Sequence, residues 1–252
     1  MGTLIARIVA RYGLTAASCM MLCGCAHPFW RHAEGDPLEP VNRTVYAFNK
    51  IADKVVLAPV AKTYQTITPK PARKGVRNFL DNLQSPVILA NDLLQGKFKR
   101  AAKTTARFAI NSTVGIGGLI DVAKKAGIEK HYEDLGQTLG VHGVPSGPYL
   151  VVPLLGPTSV RDFAGLATEQ TLNPASVARF KGRQTFGRAR LALNTVDSRA
   201  QSLEQVKTIR KTAVDEYASV RSIYQQYRKA VIADGKVDME NLPDFDLLEY
   251  EP

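Results

Sequence analysis

Apolar residues recur at helical spacing soon after residue 40. Val41, Val45, Phe48, Ala52 and Val55 follow one another at steps of four and three, which is the spacing of one face of a helix. A face of this kind either lies along a membrane interface or packs into a protein core, and the pattern alone favours neither. Val45, Phe48 and Val55 are therefore the candidates for membrane contact.

Further amphipathic helices are predicted along the chain. A second helix is marked by Val76, Phe79, Leu80 and Leu83, and a fourth by Phe98, Ala101, Ala102, Thr105, Phe108 and Ala109. A third is predicted to begin at Ser85-Pro86 and to end near Gly96, because serine suits an N-cap and proline the first helical turn. Residues 188–230 contain neither glycine nor proline and predict a long helical segment. Short helices that alternate with short loops predict an all-α fold.

A glycine-rich loop follows the fourth predicted helix. It reads Gly115-Ile116-Gly117-Gly118 and lies within an uncharged stretch, residues 108–120. A dinucleotide-binding fingerprint would follow a strand and would need its third glycine at position 120, where this chain has Ile120. The loop is more typical of a sharp helix break or of a close approach between backbones.

Residues 135–160 form a second uncharged segment, which contains nine glycine or proline residues among its 26 positions. That composition excludes a straight transmembrane helix. Irregular backbone is not tolerated in contact with lipid hydrocarbon, because its N–H and C=O groups would lack partners. We therefore predict an irregular Gly/Pro-rich hairpin that is either packed within the protein or lines a polar cavity.

The N-terminus has the organisation of a bacterial lipoprotein signal. Arg7 and Arg11 precede an apolar run at residues 12–22, which is too short to span a bilayer as a mature helix. The run ends in Leu22-Cys23-Gly24-Cys25, which resembles a lipobox. Cleavage after Gly24 would leave Cys25 as the lipidated first residue. The prediction is a signal peptide at residues 1–24 and a tether at residues 25–40.

Basic residues outnumber acidic ones, and the formal net charge of the chain is +10. Residues 25–232 hold 30 basic and 16 acidic side chains, whereas residues 231–252 are acidic and are predicted to form a disordered tail. A body this basic favours an anionic neighbour. For an exported lipoprotein that neighbour is a lipid surface rather than nucleic acid, and a solvated basic surface is the alternative.

Patterns typical of a catalytic or metal site are missing from the sequence. Residues 143–147 read Gly-x-x-Ser-Gly, whereas a nucleophile elbow needs Gly-x-Ser-x-Gly. The four histidines form no metal-binding pair. His131, beside Glu133 and Asp134, is more typical of a solvated histidine than of a general acid or base. We therefore expect neither an enzyme nor a bound cofactor or metal.

Several separate motifs, in the same order, resemble those of the MlaA family of outer-membrane lipoproteins, also called VacJ. They extend over residues 36–228, and the acidic tail carries none of them. The motifs are Asp36-Pro37-Leu38-Glu39, Asn42-Arg43, Pro71-Ala72-Arg73, Asn78-Phe79, Arg107-Phe108 with Asn111, Gly115-x-Gly117-Gly118-x-x-Asp121-Val122-Ala123, Gly136-Gln137-Thr138-Leu139-Gly140, Gly147-Pro148-Tyr149, Pro153, Gly156-Pro157, Arg161-Asp162, Asp197-x-Arg199-Ala200 and the stripe Tyr217, Arg221, Tyr224 and Arg228.

The resemblance implies a ring-shaped helical body, at residues 41–230, in the inner leaflet of the outer membrane beside a trimeric porin. Members of the family are thought to take mislocalised phospholipid from the outer leaflet through an amphipathic channel and to pass it to a periplasmic lipid carrier. The predicted lipid path comprises Gly115, Gly117, Gly118, Asp121, Gly147, Pro148 and Tyr149. The alternatives are a structural lipoprotein that binds lipid or porin without transport, and a lipid hydrolase.

Overall fold

The computed structural model of the protein describes residues 36–172 and 180–234. The predicted signal peptide, Cys25, most of the predicted tether and the acidic tail beyond residue 234 lie outside the described residues. The chain divides into two units, residues 1–39 and residues 40–252. In the first unit, the backbone N–H of Leu38 donates to the Asp36 carboxylate at 3.1 Å, just before the first described helix begins.

The N-terminal helices form a nearly continuous rod. Helix α1 spans Glu39–Ala52, a π-helical segment spans Asp53–Leu57, and α2 spans Ala58–Ile67. Pro59 lies in the first turn of α2, where its missing N–H breaks no helical hydrogen bond. The next helix begins at Lys70, after the extended Pro69.

Helices α3 (Lys70–Leu94) and α4 (Phe98–Thr113) pack against each other as a hairpin. The prediction that a third helix begins at Ser85-Pro86 is wrong, because Pro86 lies inside the continuous α3. An interior proline forfeits one backbone hydrogen bond. Leu80 and Asn82 before the proline are buried, as are Val87 and Ile88 immediately beyond it. Packing on both sides of Pro86 therefore holds the helix together.

The uncharged segment begins with a helix that its composition does not predict. After the short α5 (Val122–Lys125) comes α6 (Leu135–Val141), capped by the Asp134 carboxylate, which accepts from the N–H of Gln137 at 2.7 Å. The antiparallel strands β1 (Tyr149–Val152) and β2 (Gly156–Ser159) then form a hairpin in which Val151 is paired with Pro157. Helix α7, Val160–Leu172, follows directly.

The C-terminal part of the structure consists of α8 (Arg183–Gln201), α9 (Leu203–Thr212) and α10 (Glu216–Ile232). The single long segment predicted at residues 188–230 is therefore wrong in its continuity. It is broken at Ser202 and again after Thr212, where Ala213 is extended and the Asp215 carboxylate caps α10. Helix α8 packs on α2 and α3, whereas α10 packs on α6 and β2.

The described chain is mostly helical, which confirms the predicted class except for the two short strands. Among the described residues, no helix combines the length and the apolar character that crossing a membrane requires. The ring shape stays a prediction.

Candidate functional site

Helix α1 turns Asn42 and Asn49 inward and most of its aliphatic side chains and Phe48 outward. Asn42 is 2% exposed, whereas Phe48 is 53% exposed. Val55, in the π-helical segment, is 67% exposed, and its neighbours in the rod share this character: Val41, Ile51, Val56, Val60 and Ile67. Val45 differs, because it lies at the border of the two faces and packs half-buried against the hairpin. The pattern is the reverse of a helix that packs its apolar face into a water-soluble core.

The inward asparagines of α1 bind the backbone of the hairpin. Asn42 Nδ2 donates to the carbonyl oxygen of Tyr149 at 2.9 Å, and Asn42 Oδ1 accepts from the N–H of Val151 at 2.9 Å. Two helical turns later, Asn49 Nδ2 donates to Val152 O at 3.0 Å, and Asn49 Oδ1 accepts from Leu154 N–H at 2.7 Å. Each amide thus pairs with one backbone carbonyl and one backbone N–H of the hairpin segment.

Tyr149 lies in the core beneath this contact. It clusters with Val151 and Tyr217, and its ring centroid lies 6.1 Å from that of Tyr217 and 5.8 Å from that of Tyr224. Of the adjacent candidates, Pro148 is buried and Gly147 is exposed with a φ of +67°. The Pro148 carbonyl accepts from Val160 N–H at 3.3 Å, which closes the base of the hairpin.

The glycine loop is held by asparagines of α3. Asn78 Nδ2 donates to Leu119 O at 3.1 Å, and Asn82 Nδ2 lies 3.5 Å from Gly117 O. A Cβ at Gly118, whose φ is +96°, would lie 2.5 Å from Asn82 Cβ, so the backbone approaches this side chain too closely for any other residue. Gly117, with a φ of +67°, instead has open space around it.

A close backbone approach at Gly115 and the hydrogen bonds of Asp121 also hold the glycine loop in place. A Cβ at Gly115 would lie 2.3 Å from the carbonyl oxygen of Ile120. The Asp121 carboxylate accepts two 2.9 Å hydrogen bonds from Arg107 and one of 3.0 Å from Asn111. Burial raises the pKa of the Asp121 carboxyl, but these hydrogen bonds outweigh burial and hold its pKa below the usual value. Asp121 thus braces the loop.

The rod of N-terminal helices is pinned by an ion-pair network at the π-helical segment. The Asp53 carboxylate accepts from Arg199 at 2.6 and 3.0 Å and from Arg210 at 3.0 Å. Burial raises the pKa of Asp53, and the two guanidinium groups lower it further than burial raises it. Further along α2, Gln65 Nε2 donates to the carbonyl oxygen of Ala200 at 2.6 Å. The polar side of the rod is thereby fixed to α8 and α9.

A second network joins α6, α7 and α10. Arg228 donates to Asp134 at 2.6 and 3.0 Å and to Asp162 at 2.9 Å, and the Tyr224 hydroxyl also donates to Asp162. Tyr224 and Arg228, two members of the stripe in the family-like motifs, therefore make specific polar contacts. Gly165, which the sequence did not single out, lets α7 approach α6, because a Cβ there would lie 2.5 Å from the N atom of Gly136.

His131 has a different partner from the one that its neighbours in the sequence suggest. Its Nε2 lies 2.9 Å from the fully buried carboxylate of Asp92, which also accepts from Thr104 Oγ1 at 2.7 Å. Glu133 is buried as well and accepts from Arg100 at 2.7 Å. The view of His131 as a solvated histidine beside surface carboxylates is therefore wrong.

Asp92, His131 and Glu133 are the described residues that come nearest to a metal site, because their candidate ligand atoms lie within 4.8 Å of one another. Lys97 and Arg100 already hold one oxygen of Glu133, at 3.3 and 2.7 Å. Two cations beside a ligand atom disfavour a third. The hydrogen bonds and ion pairs account for this cluster without a metal, and the expectation of no metal stays a prediction.

A family model described as "MlaA lipoprotein" matches residues 34–231. The chain belongs to the MlaA lipoprotein family. The match covers all the helices described above up to α10 and both strands of the hairpin.

Relatives of the chain in several bacteria carry the name "Intermembrane phospholipid transport system lipoprotein MlaA". The protein of Haemophilus influenzae is 32% identical over 243 residues, which cover 93% of this chain and 96% of the relative. The protein of Escherichia coli K12 is 31% identical over 242 residues, which cover 93% of each chain. An uncharacterized protein of Rickettsia bellii is 36% identical over 198 residues, or 78% of this chain and 76% of the relative.

A solved structure described as "Structural basis for maintenance of bacterial outer membrane lipid asymmetry" has the same fold. Its TM-score against this chain is 0.71 at 34% sequence identity, and the match covers 79% of this chain and all of the solved chain. The resemblance to the MlaA family found in the sequence is thereby confirmed.

Proposed function

We propose that the protein is an outer-membrane lipoprotein that removes mislocalised phospholipid from the outer leaflet and passes it to a periplasmic lipid carrier, and so maintains lipid asymmetry. The names of the MlaA relatives and the description of the solved structure support phospholipid transport at the outer membrane. A trimeric porin is the proposed neighbour in the membrane.

The observation that carries this proposal is the outward apolar face of α1, the π-helical segment and α2. Seven large apolar residues of this rod are exposed, while Asn42 of the same helix is buried. In water the face would be costly, since each buried apolar side chain is worth about 1.5–3 kcal/mol. Hydrocarbon removes that cost, and for this reason we favour a membrane-facing rod over a water-facing one.

Lipid attachment at Cys25 fits the same placement. A single acyl chain holds a protein to a membrane only weakly, whereas two signals together hold it stably. Along the sequence, α1 starts at Glu39, 14 residues after Cys25. We propose that the acyl chains and the rod lie in the same inner leaflet, with the polar side of the rod turned to the rest of the protein.

The proposed lipid path runs beside the glycine loop and the hairpin. A charged headgroup in transit needs polar partners, because a bare charge at the bilayer centre costs at least about 2.5 kcal/mol. Uncharged backbone at Gly117 and Gly147 offers such partners without adding side-chain bulk, and both residues are exposed. Half-buried Asp121 and buried Tyr149 support this wall from behind rather than lining it, since Asp121 braces the loop and Tyr149 fills the core.

The experiment that tests transport uses the full lipidated chain in vesicles that contain a porin. Phospholipid labelled on its acyl chain is placed in one leaflet, and its appearance in the other is followed with a membrane-impermeant quencher. Vesicles with porin alone are the control. Faster movement with the protein supports transport, whereas membrane binding without movement would favour the structural lipoprotein, and released fatty acid would favour a hydrolase.

A further inference from the structure

Four cations lie on one face of the first two turns of α3. They are Lys70, Arg73, Lys74 and Arg77, at the spacing i, i+3, i+4 and i+7 that places residues on one side of a helix. Lys70 and Lys74 are exposed, and the two arginines are half-buried. The first turn holds no acidic residue, and Pro69 before it offers no side-chain cap. We call these four residues the basic face of α3.

This arrangement is unfavourable for the helix by itself. The N-terminal end of a helix carries the positive end of its dipole, which disfavours cations in the first turn. Lys70 with Lys74 and Arg73 with Arg77 are also like-charge pairs four positions apart, and such pairs destabilise a helix. An anion on the basic face would relieve both effects.

The buried carboxylate of Asp197 offsets the charge of Arg77. It accepts from Arg77 Nε at 3.2 Å, but it also accepts from the Tyr64 hydroxyl at 3.2 Å and from Gln201 at 2.7 Å. These three hydrogen bonds occupy Asp197 within the fold. It therefore compensates one cation of the basic face and leaves the other three.

Lys70, Arg73 and Lys74 have no acidic partner in the described part of the chain. No carboxylate of residues 36–172 or 180–234 pairs with any of them. The Nε–H of Arg73 is in addition a buried donor without an acceptor among these residues, and such donors are normally paired. The basic face is thus available to an anion from outside these residues.

Helix α4 shows how a basic helix start is compensated elsewhere in this protein. Lys97 and Arg100, at its first turn, both contact Glu133, at 3.3 and 2.7 Å. The same two cations contact Asp234, at 2.6 and 2.7 Å. Two cations therefore meet two carboxylates at α4, whereas the four cations of the basic face meet Asp197 among the described residues.

Exposed apolar side chains border the basic face. Ile67, the last residue of α2, is 72% exposed and precedes Lys70 by three positions, so their Cα atoms are at most about 11 Å apart. Further along α3, Asn78 donates to the carbonyl oxygen of Leu119, which is also exposed. Cations beside apolar side chains are typical of a surface at the membrane interface. An acidic protein segment would match the charge but not the apolar border.

We propose that the basic face of α3 binds the phosphates of anionic lipid headgroups at the surface of a bilayer. Lysines near such a surface are attracted by its negative potential, and the planar guanidinium of Arg73 can donate two parallel hydrogen bonds to one phosphate. The inference rests on the membrane location in the proposed function. It adds a preference for anionic lipid at a surface that adjoins the glycine loop.

The test measures which lipids surround the basic face. The full lipidated chain carries a fluorophore on Ala72→Cys, an exposed position in the first turn of α3, and is reconstituted in phosphatidylcholine vesicles. Quenching is compared for phosphatidylglycerol and phosphatidylcholine that carry the same spin label. We expect phosphatidylglycerol to quench at a much lower mole fraction. Lys70→Gln combined with Lys74→Gln should reduce this preference about 25-fold, about fivefold for each lysine.

Lys99→Gln combined with Lys103→Gln is the matched control. These lysines of α4 are exposed, have the same spacing and remove the same charge, so the preference should persist. Raising the salt concentration from about 0.1 M to about 1 M should weaken the preference of the intact basic face, because the screening length falls from about 10 Å to about 3 Å. Equal losses in the two double variants, or a preference that salt does not change, would overturn the proposal.

Folding stability gives a second readout. The Lys70→Gln, Lys74→Gln variant should unfold in detergent at the same denaturant concentration as the parent chain or at a higher one, because it removes a like-charge pair. A marked loss of stability would show that the lysines have partners within the fold, and would overturn their role in lipid binding.

Two further outcomes would also overturn the proposal. Equal quenching by the two lipids would show that the basic face has no preference for anionic headgroups. A zero-length cross-link from Lys70 or Lys74 to a carboxylate of residues 235–252, together with equal quenching, would assign the face to the acidic tail. The leaflet-transfer assay in the same vesicles reports transport separately, so a lipid preference without transfer would support the basic face and contradict the proposed transport.

Discussion

The side-chain amide of Asn42 donates a 2.9 Å hydrogen bond to the Tyr149 carbonyl, although the two residues are 107 positions apart in the chain. Asn42 thus pairs with the backbone of Tyr149 as a neighbouring strand would. The same amide accepts from Val151, so one helical side chain holds two backbone groups of β1. This contact orients α1, because it fixes the polar side of the helix against the hairpin and leaves Phe48 on the outside.

Asn42→Ala should therefore destabilise the fold. The change leaves a buried carbonyl and a buried N–H without partners, and each such group costs about 1–3 kcal/mol. We expect the free energy of unfolding to fall by about 2–4 kcal/mol, measured by denaturant titration in detergent. Thr44→Ala is the matched control, because Thr44 is exposed on the same helix and bonds only the local Pro40 carbonyl. Equal losses in the two variants would contradict this role of Asn42.

Phe48→Asp should weaken membrane association without unfolding the protein. Phe48 is 53% exposed, so its replacement removes little core packing but puts a charge where hydrocarbon contact is proposed. We expect less protein to float with vesicles and a fluorophore on α1 to become accessible to a soluble quencher. Lys54→Gln changes the net charge equally at an exposed polar position of the adjoining segment and should leave both readouts unchanged. Unaltered protection in Phe48→Asp would show that this face does not contact lipid.

Cys25→Ser should abolish lipidation and release much of the protein from the membrane. Each buried methylene contributes about 0.8 kcal/mol to anchoring, so the loss of the acyl chains leaves only the weaker contacts of the apolar rod. Mass spectrometry of the mature N-terminus and membrane fractionation measure the two effects. Cys23→Ser is the control and should retain lipidation. An unacylated wild type would contradict the assignment of Cys25.

Substitutions in the glycine loop should distinguish an effect on folding stability from an effect on the passage of phospholipid. Gly117→Ala should cost about 1 kcal/mol because of the positive φ, and Gly118→Ala should cost more because its Cβ would also meet Asn82. Gly117→Leu should fold about as well as Gly117→Ala, since open space surrounds the position. If the loop is the channel wall, Gly117→Leu should make phospholipid accumulate in the outer leaflet at nearly normal protein level and porin association.

Gly127→Leu is the matched control for this loop. Gly127 also has a positive φ, +79°, and open space around it, but it lies beyond α5 and outside the predicted path. Gly127→Leu should lose a similar amount of folding stability and keep normal lipid asymmetry. Normal asymmetry in a stable Gly117→Leu variant would exclude the loop as the channel wall.

Lowering the pH should destabilise the hydrogen bonds and ion pairs that Asp162 makes with neighbouring side chains. Burial raises the pKa of this carboxyl, but the hydrogen bond from Tyr224 and the charges of Arg228 and Arg161 lower it below its usual value. A lowered folded pKa gives stability that is present above the unfolded value of about 3.9 and is lost as the pH falls through the folded value.

Asp162→Asn should reveal this contribution in a pH series. We expect the variant to be about 2 kcal/mol less stable than the wild type at pH 7, the effect of losing hydrogen bonds to a charged group. The difference should narrow progressively below about pH 4, because the unfolded carboxyl then takes up a proton that the folded carboxyl accepts only at the lower pH of its own pKa. Glu204→Gln, at an exposed position, should show no such narrowing. A difference that stays constant down to pH 2 would contradict the network's role.

Local sequence patterns predicted helix α1 better than they predicted the residues that it contacts. The spacing of Val41, Phe48 and Val55 predicted α1 and its amphipathic character, because helical periodicity is a local property. Which side of α1 is buried depends on Tyr149 and Val151, more than 100 residues away, and no local signal encodes that contact. For this reason the sequence left interface and core as equal alternatives.

The predictions that failed share one physical cause, which is that contacts between residues distant in the sequence decide these positions. Pro86 is a local helix-breaking signal, but α3 continues through it because the residues beyond it are buried against other elements. Asp92 is the partner of His131 at a separation of 39 residues, so the nearby Glu133 and Asp134 were misleading neighbours. The glycines of the predicted path were found from composition, yet Gly165 was missed because its role depends on the approach of a second helix.

The asparagine pair of α1 has a consequence for neighbouring copies of the chain in a crowded membrane. An open strand edge is a template for pairing with another chain, and proteins avoid aggregation by covering such edges. Here Asn42 occupies the outward Tyr149 C=O and Val151 N–H of β1, and Asn49 binds the Val152 C=O and the Leu154 N–H just beyond the strand, so α1 covers this side of the hairpin. By holding α1 over this edge, the two asparagines oppose sheet-mediated self-association and also orient the first helix.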